Sequence, residues 1–356
     1  MQGYIRRKGS GGMGTGMGVL VDSTELEGKR FSCIPGCAYC CLCPPEVSGD
    51  EREYFLKNHP GAVEDTDGTP HLALQGGAGG CSLLSLRQCQ DYGHRPFHCR
   101  AFPLRVHLSF RVQACSNLSC RGVQDKEGAP LSELLGQIIT ESQRELPAAA
   151  AAAAREWSSF IGKCQKRGAP VELEASRKIA GTVIERWPSE LGADREEVIE
   201  LVSETFGTKQ LPELPVFVGR ELDWKVFRID NGMVRRFALE ENGTMLPAGE
   251  WPLRAIPLLE MESSGKEAFR AYMEILNGRD NVAASAALVV RLTGFEDEFE
   301  EVYLDVLRDC ALDLWWRASL LSFIAGSSSL GPAEIKEGVV FCDADFLDMM
   351  GIGGML

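Results

Sequence analysis

No run of eighteen consecutive apolar residues occurs in this 356-residue chain, so no membrane-spanning helix is expected. The opening sequence, MQGYIRRKGSGGMGTGMG, carries basic residues but lacks the apolar stretch that directs secretion. Residues 1–30 are therefore expected to be a flexible, glycine-rich tail, and the protein to be cytoplasmic. Positive charge is in short supply: 37 lysines and arginines face 51 aspartates and glutamates, a formal net charge of -14. A field of that sign repels phosphate backbones and argues against general binding to nucleic acid. A formal GxGxxG at Gly9, Gly11 and Gly14 lacks the preceding strand that a dinucleotide site needs, and it is set aside. No internal repeat is present.

Cysteine and histidine are scarce outside one stretch. Ten of the thirteen cysteines lie between Cys33 and Cys120, and the five histidines, His59, His71, His94, His98 and His107, share that window. The same stretch is short of negative charge. From Arg87 to Arg121 there are six arginines, no lysine and one carboxylate, Asp91, a local excess of five positive charges. Such an excess calls for an anionic counterpart. A cytoplasmic chain keeps its thiols reduced, which weighs against a disulfide framework and for a metal.

At this length two domains are expected. Apolar content of 44% and charged content of 25% are ordinary for a globular chain, which has enough apolar material to need no metal merely to rescue a small core. The expected fold class is α+β, predominantly α. Its parts are the tail, an irregular metal-stapled cysteine-rich domain over 31–125, a helical connector over 126–170, and an acidic, mainly helical domain over 171–356. Leu131, Leu134, Leu135, Ile138 and Ile139 recur at helical spacing, and the alanine run Ala148–Ala154 leads into Trp157 as one long helix. The turn signals Asn231-Gly232 and Asn242-Gly243 flank a strand over Met233–Leu239, with Trp224–Ile229 as its antiparallel partner. Phe295–Ile324 reads as one or two helices with Phe299, Val302, Val306, Cys310 and Leu314 on the core face and Asp309 and Asp313 opposite. The loop Gly76-Gly77-Ala78-Gly79-Gly80 reads as a turn. Cys164, Cys310 and Cys342 read as ordinary buried thiols.

The dense run is Cys33-Ile-Pro-Gly-Cys37-Ala-Tyr-Cys40-Cys41-Leu-Cys43-Pro44. Spacings of two or three residues let successive sulfurs wrap one centre with little loop-closure cost. Thiolates are soft donors that select zinc or iron–sulfur over hard cations. Neighbouring arginines lower thiol pKa values and offset the charge of a thiolate-bound centre. Adjacent cysteines such as Cys40 and Cys41 project in divergent directions and rarely share an ion. Ten thiols exceed the four of one site, which leaves room for two metal centres.

Three patterns compete for this run. Cys33, Cys37 and Cys40 resemble the CxxxCxxC cluster loop of radical S-adenosylmethionine enzymes, but the chain lacks that family's alternating strands and helices and its glycine-glycine-acid motif. Cys37, Cys40 and Cys43-Pro44 resemble part of a bacterial ferredoxin run, with the last spacing wrong by one residue. The best fit joins Cys33, Cys37, Cys40 and Cys41 to Cys81, Cys89, Tyr92 and Arg95-Pro96-x2-Cys99-Arg100-x-Phe102-Pro103. That order resembles the cysteine-cluster family of zinc- or iron-chelating proteins, which includes the flagellin lysine N-methylases. The resemblance covers about a quarter of the chain. It implies a metal centre built from Cys33, Cys37, Cys40, Cys41, Cys81, Cys89 and Cys99, and it is the sole basis for expecting methyl transfer to protein.

Pro96 and Pro103 bracket Cys99 and limit its backbone freedom. Arg95, Arg100 and Arg105 are candidates to hydrogen-bond cluster sulfurs or a carboxylate, with salt bridges to the acidic second domain as the other reading. His94 and His98, four apart, read as packing or surface residues. The favoured function is an iron–sulfur protein, [4Fe–4S] above other types, acting in redox chemistry or protein modification on a protein substrate or redox partner. One alternative is a structural zinc module on a helical interaction domain. Another is an atypical radical enzyme that uses S-adenosylmethionine at the Cys33–Cys40 loop.

Overall fold

A computed structural model describes residues 12–14, 19–43, 45–47, 49–66, 68–124, 127–207, 214–294 and 298–356. Gly9, Gly11 and Phe295 lie outside the described residues. The chain is about 49% helix and 20% strand, distributed over several small sheets, an α+β fold in which helix dominates.

The first sheet belongs to the amino-terminal half. β1 (Gly12–Gly14) pairs antiparallel with β2 (Leu20–Asp22); β3 (Leu104–Leu108) and β4 (Val112–Ser116) form an antiparallel hairpin, and β2 pairs parallel with β4. Gly354–Met355 close the far edge on β3. All five residues of β4 are buried, as befits a central strand covered on both faces. After the short helices α1 (Gly49–Asn58) and α2 (Phe97–Ala101) come α3 (Leu131–Glu141) and α4 (Leu146–Lys166), whose Leu131, Leu135, Ile138, Leu146 and Ala153 pack on this sheet beside Val21, Val106 and Ala114. Part of the segment expected as a tail is thus structural. Val21 and Leu26 are buried there because the parallel pairing of β2 with β4 carries them into the core.

The second sheet is a meander: β5 (Val216–Val218), β6 (Trp224–Asp230), β7 (Met233–Leu239) and β8 (Met245–Pro252). Asn231 and Gly232 join β6 to β7 with φ of 51° and 70°, the paired positive values of a type I′ turn. Helices α5 (Leu173–Ile184), α6 (Arg195–Gly207), α7 (Ser263–Gly278), α8 (Asp280–Thr293), α9 (Phe299–Ile324) and α10 (Pro332–Leu347) build the large core around Met273, Leu307, Trp316 and Phe341. The buried seam of α9 runs Phe299–Tyr303–Leu307–Cys310–Leu314, while Val302 and Val306 sit half-buried at its flank. Asp313, placed by its spacing on the polar face, is instead buried, because Arg317 one turn on binds both its oxygens at 2.8 and 2.9 Å.

The two halves share a core. Cys37, Leu42 and Leu84 from the cysteine-rich stretch pack with Val218, Trp224, Val226 and Leu239 of the second sheet. A buried ion network adds a second tie. Arg279, between α7 and α8, binds Glu25 through Nε (2.9 Å) and Nη2 (3.0 Å), and Asp343 of α10 through Nη1 (2.7 Å). Arg111 of the β3–β4 turn is held by Asp22 and Asp280.

Candidate metal centre

Backbone pairings bring the distant cysteines together. Arg30–Phe31 pairs antiparallel with Val123–Gln124, and Ser32 N donates to Gly122 O at 3.0 Å, which brings together the segments that carry Cys33 and Cys120. The chain then turns tightly: Cys37 N donates to Ile34 O and Cys41 N to Ala38 O, with Ala38 in a left-handed conformation at φ 49°. The indole of Trp224 donates to Cys37 O at 2.9 Å and fixes this turn to the second sheet. Cys81 N donates to Cys41 O at 2.7 Å. A hairpin, Leu84–Ser85 with Gln88–Cys89, folds Cys89 back opposite Leu84. Cys99 is presented by α2 (Phe97–Ala101), which begins after Pro96 and ends before Pro103.

These elements enclose a cavity of about 520 Å³. The seven cysteines Cys33, Cys37, Cys40, Cys41, Cys81, Cys89 and Cys99 all line it, and Cys120 makes an eighth. Cys43 is exposed and Cys115 fully buried within β4, both away from this lining. Among the described residues no three His, Cys, Asp or Glu side chains are arranged to hold a single metal ion. The eight thiols line one cavity without three of them meeting at a single ion position.

Burial raises the pKa of Cys33, Cys37, Cys81, Cys89, Cys99 and Cys120, the last to about 12. Cys40 differs. A hydrogen bond from the Cys41 thiol outweighs burial and, with Arg95 nearby, brings it down to about 7, while the same bond pushes Cys41 up. Cys40 is therefore the most acidic of the cavity thiols.

The arginines divide. Arg95 stacks on Tyr92 at 3.8 Å from the ring centroid, lines the cavity, and its charge reaches Cys33, Cys40, Cys89 and Cys99. Arg100 also lines the cavity but donates to Arg95 O and pairs with Glu141 (2.7 Å) and Glu51 (3.5 Å). Arg105 faces a smaller neighbouring cavity with Cys43 and pairs with Asp348. With Arg111 on Asp22 and Asp280, and Arg121 on Glu337, four of the six arginines find carboxylates within the chain itself. His94 and His98 do not share a helix, since Pro96 separates them; His94 bonds Asp91 at 2.8 Å and His98 lies 4.0 Å from Glu46.

Two lining residues escaped sequence reasoning. Cys120 reaches the cavity through strand pairing across ninety residues, a contact that spacing does not reveal. Arg87 sits in a two-residue hairpin turn, with φ of 52° at Leu86 and 60° at Arg87, and lies 3.4 Å over the Trp224 ring. Its Nη1 is buried with no acceptor among the described residues. The glycine loop proves to be a docking surface: Gly80 N donates to Glu241 O at 2.8 Å, against the turn that joins β7 to β8.

Residues 32–121 match the CxxCxxCC family, described as "Putative zinc- or iron-chelating domain". The match spans about a quarter of the chain and ends one residue past Cys120, so it contains all eight cavity cysteines. No curated protein and no solved structure matches the chain. No described helix is long and apolar enough to cross a membrane. The cavity fits the metals named by the family: eight soft sulfur donors and no carboxylate but the ion-paired Glu141 line it.

Proposed function

We propose that this protein binds iron–sulfur, of the [4Fe–4S] type, in the cysteine-lined cavity and uses it in redox chemistry or protein modification. The observation that carries the reading is a cavity of about 520 Å³ lined by eight thiols, no three of which are set around one ion position. A tetrahedral zinc with Zn–S bonds of about 2.3 Å would draw four sulfurs to within about 4 Å of one another. A cubane cluster takes its thiolates at outer corners and keeps them farther apart. When bound, such a cluster supplies one-electron transfer. Arg95 offsets thiolate charge on four of the cysteines, and the Trp224 indole holds the Cys37 turn in place.

The cavity is not lined by cysteine alone. Phe31, Ile34, Phe97, Leu134 and Ile138 add apolar surface to its lining, and its volume lies within the roughly 300–1,000 Å³ of small-molecule sites. That room supports an organic co-substrate such as S-adenosylmethionine, or a substrate side chain, beside the metal. Anaerobic titration with dithionite tests the redox reading. Stoichiometric electron uptake with bleaching supports it; a protein that takes up no electrons over the accessible range would refute it.

A further inference from the structure

We propose that the cavity also takes a small organic carboxylate with an apolar body, and that Arg87 receives its carboxylate group. This rests on the reading above that an organic molecule has room beside the metal, and adds the molecule's chemical class and the residue that selects it.

The charges identify the residue. Of the six arginines from Arg87 to Arg121, Arg100, Arg105, Arg111 and Arg121 are each held by a carboxylate of the chain. The other two, Arg87 and Arg95, line the cavity, and among the described residues neither forms an ion pair. Arg95 is already placed among the cysteines, between Cys89 and Cys99 in the chain and stacked on Tyr92. Arg87 instead stands against the second sheet. The two carboxylates whose charge it feels are engaged elsewhere: Glu241 accepts the Arg87 backbone N–H at 2.8 Å, and Asp223 pairs with Lys225 at 2.9 Å.

The fold holds Arg87 at a cost. Leu86 and Arg87 form a two-residue hairpin turn with φ of 52° and 60°, where Asn-Gly is the preferred pair. The guanidinium lies 3.4 Å from the centroid of the Trp224 ring, and Trp224 is itself fixed, 1% exposed with its indole bonded to Cys37 O. Stacking occupies the face of a guanidinium and leaves its in-plane donors for an acceptor. Nη1 of Arg87 is buried and meets no acceptor among the described residues, and a charged donor left unmet is costly. A carboxylate offers two acceptors in that plane.

The rest of the lining suits the other end of such a molecule. Phe31, Ile34, Phe97, Leu134 and Ile138 contribute apolar surface, and Glu141, the one carboxylate in the lining, is already paired with Arg100 at 2.7 Å. One guanidinium without a partner matches a single planar carboxylate better than a phosphate dianion, which calls for more donors.

The test is calorimetric titration of anaerobically purified, metal-loaded full-length protein with octanoate and phenylpropanoate, and with the neutral amide of each. Wild type should bind at least one acid roughly tenfold or more tighter than its amide. Arg87→Gly, which suits the positive φ of the turn, should keep wild-type metal content and helix and lose that preference. Arg87→Lys should recover part of it. Acid and amide bound equally well by wild type overturn the carboxylate assignment and leave the room for an organic molecule standing. Binding of none of the four compounds overturns both. A preference that survives in Arg87→Gly removes Arg87 from the site. Arg87 also lies near Cys37, so loss of metal from Arg87→Gly would assign its charge to the metal and overturn the proposal.

Discussion

Replacing Arg279 with methionine keeps most of the side-chain volume and removes the guanidinium that joins Glu25 to Asp343. Arg279 is fully buried, as is Asp343, and the Glu25 side chain is 10% exposed. Removing one partner of a buried pair costs about 3–5 kcal/mol, because the stranded carboxylate cannot regain water. Both carboxylates keep other donors. Glu25 retains Lys29 and the Ser116 N–H and hydroxyl, and Asp343 retains Leu118 N and the Tyr272 hydroxyl. Those donors place the expected cost near the lower limit, about 3 kcal/mol. For a chain this long that corresponds to a fall in Tm of about 5 °C. Thermal unfolding followed by circular dichroism measures it, with Arg186→Ala as the control. Arg186 pairs with Glu190 in the exposed turn that follows α5, where loss costs about 0.5 kcal/mol or less. An Arg279→Met variant no less stable than Arg186→Ala would refute the claim that this network locks the amino-terminal segment onto the helical body.

Glu25 itself gives a pH signature. Burial alone would raise its pKa, but Arg279, Lys29 and the Ser116 N–H hold it well below the usual carboxylate range. Its stabilising contribution is therefore complete above the ordinary glutamate pKa of about 4.3 and is lost as pH falls toward the depressed native value. Wild-type stability should drop more steeply below about pH 5 than that of Glu25→Gln in acid unfolding curves; parallel curves would contradict this. A Cβ on Gly79 would lie 2.3 Å from Gly243 N and 2.4 Å from Glu241 O, both backbone atoms. Gly79→Ala should thus cost about 1–3 kcal/mol in urea unfolding, and a neutral result would show that the loop can part from the second sheet. Cys310→Ser and Cys43→Ser should keep wild-type metal content by elemental analysis, since neither residue lines the main cavity.

Local signals in the sequence located what is local in the structure. Met233–Leu239 is a strand, Asn231-Gly232 is its turn, and the alanine run lies within a 21-residue helix, because propensity and turn chemistry act over a few residues. Long-range pairings left no such trace. The first sheet needs Leu20–Asp22, Val112–Ser116 and Gly354–Met355 to meet from opposite ends of the chain. Helical spacing put Asp313 on the polar face because periodicity cannot foresee an Arg317 that neutralises it inside the core. At the site, the cysteine window stood out as composition. Which thiols share the cavity depended on the pairing that delivers Cys120 and on the bond from Cys81 to Cys41.

The measurement that tests the central claim most directly is X-ray absorption at the iron and zinc edges, on one anaerobically purified sample. Iron bound by sulfur with further iron at cluster distance is expected, together with the broad visible absorption of an iron–sulfur protein. Zinc surrounded by four sulfurs at about 2.3 Å, in colourless protein without iron, would contradict it.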